Sequence, residues 1–281
     1  KKKVTLKVFL VSARYTSEMS YSVVVLYLLG VSLLNNAAAQ SNIAGGQDAV
    51  KGQYPWLVSI EATNFVESWP LCAGVLITPE WVLTAAHCMD SEKPEWLWVV
   101  TGEHNTQVEE GTEQRLKVVS FVQHEDYTYW LKPYQNDIAL IKLESWAAID
   151  DYTSVAPLSN EGIDDISGIC EEAGWGSTAE GSPGAVVLQW ASVPLLDLQI
   201  CKDAYSSAPD GNSLCAGVES GGVGACVGDN GGGLLCWSEQ SGRYVVGGVM
   251  SWREGCAVAG KPGVYMNVAK YRDWIISVIN S

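Results

Sequence analysis

From Ile43 to the C-terminus the chain is written in short apolar stretches cut by glycine, and only its C-terminal end repeats at a helical period. Strand patterns are read at Trp56–Ala62, Gly74–Thr78, Trp96–Thr101, Leu116–Val122 and Asp137–Leu143. They return at Gly168–Trp175, Ala185–Val193, Tyr244–Trp252 and Gly263–Val268. At the end Val268, Tyr271, Trp274, Ile275 and Val278 share one helical face, and docking on its own barrel is the ordinary use of such a face. No repeat of solenoid length is present. The pattern predicts an all-β chain of two barrel-like halves closed by a helix. With 47% hydrophobic and 17% charged residues the chain can bury a proper core, which excludes a disordered tail protein. Lys plus Arg number 17 against 32 Asp plus Glu, a net charge of −15, so the basic footprint that nucleic acid requires is missing.

Val23 to Leu34 form an apolar run broken only by Gly30 and Ser32. It is shorter than the roughly 20 residues a bilayer span needs and has the length of a secretory-signal core. Ala37, Ala38 and Ala39 supply the small residues of a cleavage site, and the first methionine is Met19. Residues 1–39 are therefore read as upstream sequence plus a removed signal peptide, and 40–42 as a short pro-segment. Lys1, Lys2, Lys3, Lys7 and Arg14 lie there against Glu18 alone, so the remainder is more acidic still. The expected location is extracellular, where thiols oxidise. Eight cysteines with no C-x-x-C pair read as disulfides rather than a zinc ribbon, in a connectivity the sequence alone leaves open.

Three short motifs carry chemistry. Thr84-Ala-Ala-His87-Cys88 places an imidazole at an apolar strand-to-turn junction, Asn136-Asp137-Ile138-Ala139-Leu140 starts an apolar strand with a carboxylate, and Gly228-Asp229-Asn230-Gly231-Gly232 is a turn whose amides converge. Alone they read as a core histidine, a strand cap and a tight turn. In this order and spacing they resemble the trypsin-like, chymotrypsin-fold serine proteases, whose triad is the general template for acyl transfer. The resemblance runs from Ile43 to the C-terminus and includes Gly174-Trp175-Gly176 and Ser251-Trp252. It implies two six-stranded antiparallel β-barrels, over about 43–155 and 156–266, and a C-terminal helix over about 267–280. It also implies the bridges Cys72–Cys88, Cys170–Cys236, Cys201–Cys215 and Cys226–Cys256. Under it, His87 is the base, Asp137 orients it, and the amides of Gly228 and residue 230 form the oxyanion hole. Ile43 becomes the mature N-terminus, its ammonium paired with Asp229.

Where the family has Gly-Asp-Ser-Gly-Gly-Pro, this chain has Gly228-Asp229-Asn230-Gly231-Gly232-Gly233. A carboxamide nitrogen, its lone pair delocalised, is no acyl acceptor, and losing the nucleophile costs about 2 × 10⁶ in kcat in a related enzyme. Gly224 stands where trypsins carry the aspartate that selects Lys or Arg, and Ala225 and Gly263 are expected to leave the specificity pocket open and uncharged. Arg253 replaces a glycine at its mouth, directly after Ser251 and Trp252; it either obstructs the substrate strand or turns to solvent or Glu254. Asn42, not Arg or Lys, precedes Ile43, so either an asparagine-specific peptidase removes the pro-segment or nothing does.

The resemblance also places a structural calcium ion in the loop Glu103–Glu113, with carboxylates from Glu103, Glu110 and Glu113 and carbonyls from Asn105 and Val108; the plain alternative is a solvated acidic hairpin. Tyr127, Tyr129, Trp130 and Tyr134 crowd the segment before Asp137, either as a recognition surface or as local packing. The reading is a secreted serine protease homologue, proteolytically inactive and monomeric, without catalytic cofactor or membrane contact, acting as a binding or regulatory scaffold for a protein or peptide. The alternative is an active non-tryptic endopeptidase, if codon 230 in fact encodes serine. A secreted structural protein is the weaker third.

Overall fold

The computed structural model describes residues 45–281 apart from 65, 129–133, 160–165, 178, 180 and 206–208. The expectations for residues 1–42, for Ile43, and for Tyr129 and Trp130 lie outside the described residues.

The first barrel is closed by β2 (Leu57–Thr63), β3 (Ser68–Thr78), β4 (Trp81–Thr84), β5 (Leu97–Thr101), β6 (Gln114–Gln123) and β7 (Ala139–Leu143), in the order β2-β3-β4-β7-β6-β5. The second is built from β8 (Ile166–Gly174), β9 (Gln189–Leu196), β10 (Ser213–Ala216), β11 (Gly233–Ser238), β12 (Arg243–Trp252) and β13 (Gly263–Asn267). It runs β9-β10-β13-β12-β11-β8 and closes through the β8–β9 pairing. All of these pairings are antiparallel, as expected for two six-stranded barrels. The two-residue strand β1 (Gln47–Asp48) pairs with β9, so the start of the domain belongs to the second barrel's sheet.

Closure follows from the apolar faces. Val58, Ile60, Leu76, Val82 and Ile141 share one face of the first barrel's sheet, and Val193, Leu214, Leu234, Val245 and Tyr265 form the core of the second, all essentially inaccessible. Each such aliphatic side chain stabilises the fold by roughly 2 kcal/mol. The four disulfides join the pairs the resemblance implied, Cys72–Cys88, Cys170–Cys236, Cys201–Cys215 and Cys226–Cys256. Two of them brace the region between the barrels: Cys88 adjoins His87, and Cys226–Cys256 ties the turn before Asn230 to the loop after Arg253.

Strands β4, β10 and β11 and the short helix α1 (Leu198–Ala204) have no counterpart in the sequence reading. β4 and β10 are four residues long and buried at every position, and β11 is buried at five of six, so the alternation that marks a half-buried strand is missing. The C-terminal helix α2 (Val268–Ile279) follows the second barrel but reaches the first. The Tyr271 hydroxyl donates to Asn136 Oδ1 at 3.0 Å and Trp274 Nε1 to Glu125 Oε2 at 2.9 Å, while the His124 ring meets both aromatic rings. The helix therefore does not simply dock on its own barrel; it holds the connection leading into Asp137.

Candidate functional site

His87 sits in a 3-10 turn, Ala86–Met89, at the end of β4, with Ala86, Cys88 and Met89 buried beneath it. Asp137, fully buried just ahead of β7, accepts three hydrogen bonds. Its Oδ1 takes the His87 backbone amide at 2.8 Å, and its Oδ2 takes His87 Nδ1 at 2.7 Å and Ser251 Oγ at 2.5 Å. A carboxylate only accepts, so Nδ1 carries the proton and Nε2 is left as the acceptor facing the cleft. Asn136, at φ 51°, turns the chain so that Asp137 points inward. The Tyr134 ring lies nearly parallel to the imidazole, 5.3 Å between centroids and 12° apart. Tyr127 backs Tyr134 at 6.1 Å and donates to Asp90 at 2.9 Å.

Asn230 is presented by a turn whose backbone is tightly enclosed. Its carbonyl accepts the Ala73 amide at 2.8 Å, locking the turn to the first barrel. Gly231 has φ 80°, and a Cβ there would stand 2.2 Å from Thr84 Oγ1 and 2.4 Å from the Ala73 carbonyl oxygen, so only glycine fits. Asp229 is buried, and its carboxylate accepts the amides of Gly176 and Cys226 at 2.8 Å each. Burial pushes its pKa up, against the Cys226 amide, the Arg253 charge and the Gly176 amide, which hold it down. The Ile43 ammonium that the resemblance assigns to Asp229 lies outside the described residues.

His87, Tyr134, Val227, Asn230, Ser251, Trp252 and Arg253 line one cavity of about 300 Å³ between the barrels. His87 and Asn230 thus face the same space. The Trp252 ring meets the Tyr205 ring edge-on at 4.7 Å, and Tyr205 is anchored through its hydroxyl to the Pro262 carbonyl.

The pocket that the resemblance assigns to specificity is narrower and more polar than expected. Gly224, Ala225 and Gly263 line it, as read from the sequence, but Glu172, Arg253 and Tyr265 line it too, and only about 20 Å³ of space remains. It is neither open nor uncharged. Glu172 is buried; its Oε2 accepts the Ala225 amide at 2.7 Å and its Oε1 the Tyr265 hydroxyl. Burial pushes its pKa from 4.5 to about 7, with Asp229 adding to the rise and the Tyr265 hydroxyl, Ala225 amide and Arg253 charge opposing it. A signal for Glu172 was present in the sequence. Cys170 is a core residue on β8, and strand alternation puts residue 172 on the same inward face.

Arg253 does not pair with Glu254, which instead takes Lys261 at 2.6 Å. Its guanidinium turns toward the pocket, where Nη1 donates to Asn230 Oδ1 at 3.4 Å. Loss of solvation lowers its pKa, opposed by Asp229, Tyr265, Glu172 and Tyr205.

The residues expected to hold calcium lie in one loop, where Glu103 feels the charges of Glu113 and Glu110, and their side chains meet nitrogen donors of the same region. Glu113 accepts the amides of Glu110, Gly111 and Thr112 at 2.7, 2.8 and 2.9 Å, and Glu103 accepts the His104 amide at 2.9 Å. Glu110 faces Lys51 at 3.4 Å and His104 Nδ1 at 3.2 Å, so cationic and imidazole nitrogens already face it. The Asn105 carbonyl accepts the Val108 amide at 3.0 Å. Among the described residues the only metal-spaced cluster is Cys72, His87 and Cys88, and both its sulfurs are in a disulfide.

Comparison with known proteins agrees with this architecture. The family model described as Trypsin matches residues 43–275. The chain is 38% identical to serine protease 56 of Homo sapiens over 250 residues, which is 87% of this chain and 40% of that protein. It is 36% identical to trypsin-1 of Astacus astacus, covering 83% of this chain and 98% of that one. It is 34% identical to coagulation factor IX of Cavia porcellus, covering 83% and 80%. The chain thus spans less than half of the first of these relatives and most of the other two. It belongs to the trypsin family of serine proteases.

Proposed function

We propose that this chain is a secreted trypsin-family protein that has lost peptide-bond hydrolysis and acts as a binding or regulatory scaffold. One observation carries the reading: Asn230 occupies the nucleophile position and accepts a hydrogen bond from Arg253, across a cavity from an intact His87–Asp137–Ser251 array. The base is built and oriented, but the atom it would deprotonate is missing. Without it the covalent route is closed, a loss on the order of 10⁶ in kcat, or about 9 kcal/mol of transition-state stabilisation. Arg253 adds a second obstacle, because its side chain lines and narrows the pocket that would seat a substrate side chain, where only about 20 Å³ remains. Four disulfides suit an oxidising extracellular setting.

A fluorophosphonate probe, which esterifies only an activated serine, tests the reading. The secreted protein stays unlabelled and the Asn230→Ser variant becomes labelled; labelling of the natural protein, or hydrolysis of casein by it, would overturn the proposal. The competing reading of an active non-tryptic peptidase draws support from the same preserved His87–Asp137 pair. Peptide mapping of residue 230 separates the two.

A further inference from the structure

A binding role leaves the chemistry of the occupant open, and the following inference rests on that role. We propose that the cleft between the barrels recognises a carboxylate, held by the Arg253 guanidinium and the Asn230 carboxamide.

A guanidinium presents five N–H donors in a rigid fork. Here Nη1 donates to Asn230 Oδ1, while Nε is buried with no acceptor. Among the described residues no carboxylate comes within 4.0 Å of Arg253. The nearby acids are engaged elsewhere: Asp229 by the amides of Gly176 and Cys226, Glu172 by the Ala225 amide and the Tyr265 hydroxyl. They steady the cation through space but leave its donors unfilled.

Asn230 adds to this. With Oδ1 turned to Arg253, its Nδ2 donors are left for a ligand. The cavity itself is bare of acids: His87, Tyr134, Val227, Asn230, Ser251, Trp252, Arg253, Gly255 and Cys256 line it, without one Asp or Glu. In a chain of net charge −15 that is a marked local reversal. The overall negative field is screened beyond about 8 Å at physiological salt, whereas charge-assisted hydrogen bonds inside the cleft are not.

The carboxylate could come from a polypeptide C-terminus or from an aspartate or glutamate side chain. Calorimetric titration of the whole protein with three peptides distinguishes them: acetyl-alanyl-alanyl-prolyl-valine with a free carboxylate, its C-terminal amide, and an amidated analogue ending in aspartate. The expected result is that at least one acidic peptide binds about tenfold or more tightly than the neutral amide. Which one does so identifies the source. Arg253→Gln abolishes the preference, and Arg253→Lys, which keeps the charge without the fork, retains part of it; melting curves confirm that both variants fold. Equal binding of all three peptides overturns the carboxylate proposal while leaving a peptide-binding scaffold standing. A preference that survives in Arg253→Gln overturns it as well. Binding by none of the three also overturns it, and the scaffold reading is then judged by probe labelling alone.

Discussion

Replacing Glu172 by glutamine is expected to flatten a pH dependence of stability that the natural protein carries. Glu172 is 5% exposed, held between the Ala225 amide and the Tyr265 hydroxyl, with Asp229 and Arg253 as its charged neighbours. Its pKa in the fold is about 7 against an ordinary 4.5, so between those values the folded chain holds a proton that the unfolded chain has released. Stability is therefore fullest below pH 4.5 and declines as pH rises to about 7, after which both states are ionised and the loss is complete. At about 1.4 kcal/mol per pH unit, that interval amounts to about 3 kcal/mol. For a domain of this size the loss corresponds to a fall in Tm of roughly 6–12 °C. A glutamine keeps an oxygen for the Ala225 amide and sets an NH₂ against the Tyr265 oxygen, and it does not titrate. Urea unfolding with disulfides intact, at pH 5, 6, 7 and 8, gives the comparison. Titrating groups remote from the pocket contribute alike to both proteins, so the difference between the two curves isolates Glu172 with its coupling to Asp229 and Arg253. Parallel curves would show that Glu172 is solvated or ionised throughout, and the buried-pocket account would fail.

Three further outcomes are expected. Asn230→Ser with Arg253→Gly hydrolyses a small neutral peptide ester at least about tenfold faster than Asn230→Ser alone, because the double variant widens the pocket that Arg253 lines; equal rates would mean that Arg253 swings clear without cost. Gly231→Ala, whose Cβ would overlap Thr84 Oγ1 and the Ala73 carbonyl at positive φ, destabilises by about 2–4 kcal/mol, read as a lower urea midpoint. EDTA changes the melting temperature by less than about 1 °C, since Lys51, His104 and backbone amides already engage Glu110 and Glu113; a fall of several degrees would show that the loop reorganises around calcium.

Much of the fold was legible locally. Strand alternation, glycine breaks and a helical stripe at the C-terminus are properties of neighbouring residues, so the two β-rich halves and α2 could be read directly. His87, Asp137 and the cysteine pairs were legible for another reason: their order and spacing resemble a family whose chemistry requires them. Strands β4 and β10 escaped because a strand buried on both faces has no alternation to show. The reach of α2 toward Asn136 and Glu125 escaped because a helical stripe says that a face is covered but not by what.

The character of the pocket shows where local reading stops. Asn230, Gly224 and Arg253 were all visible, and it is against the resembling family that they read as a missing nucleophile, a missing acid and a cation at the mouth. Whether the pocket was open could not be read, because its lining combines Glu172 on β8, Arg253 just after β12 and Tyr265 on β13. Glu172 lies some eighty residues before the other two, and the three meet only when the second barrel closes. Covalent identity and local periodicity are written residue by residue, but which side chains face one another across a closed sheet is set by register and closure, and only the tertiary structure holds that.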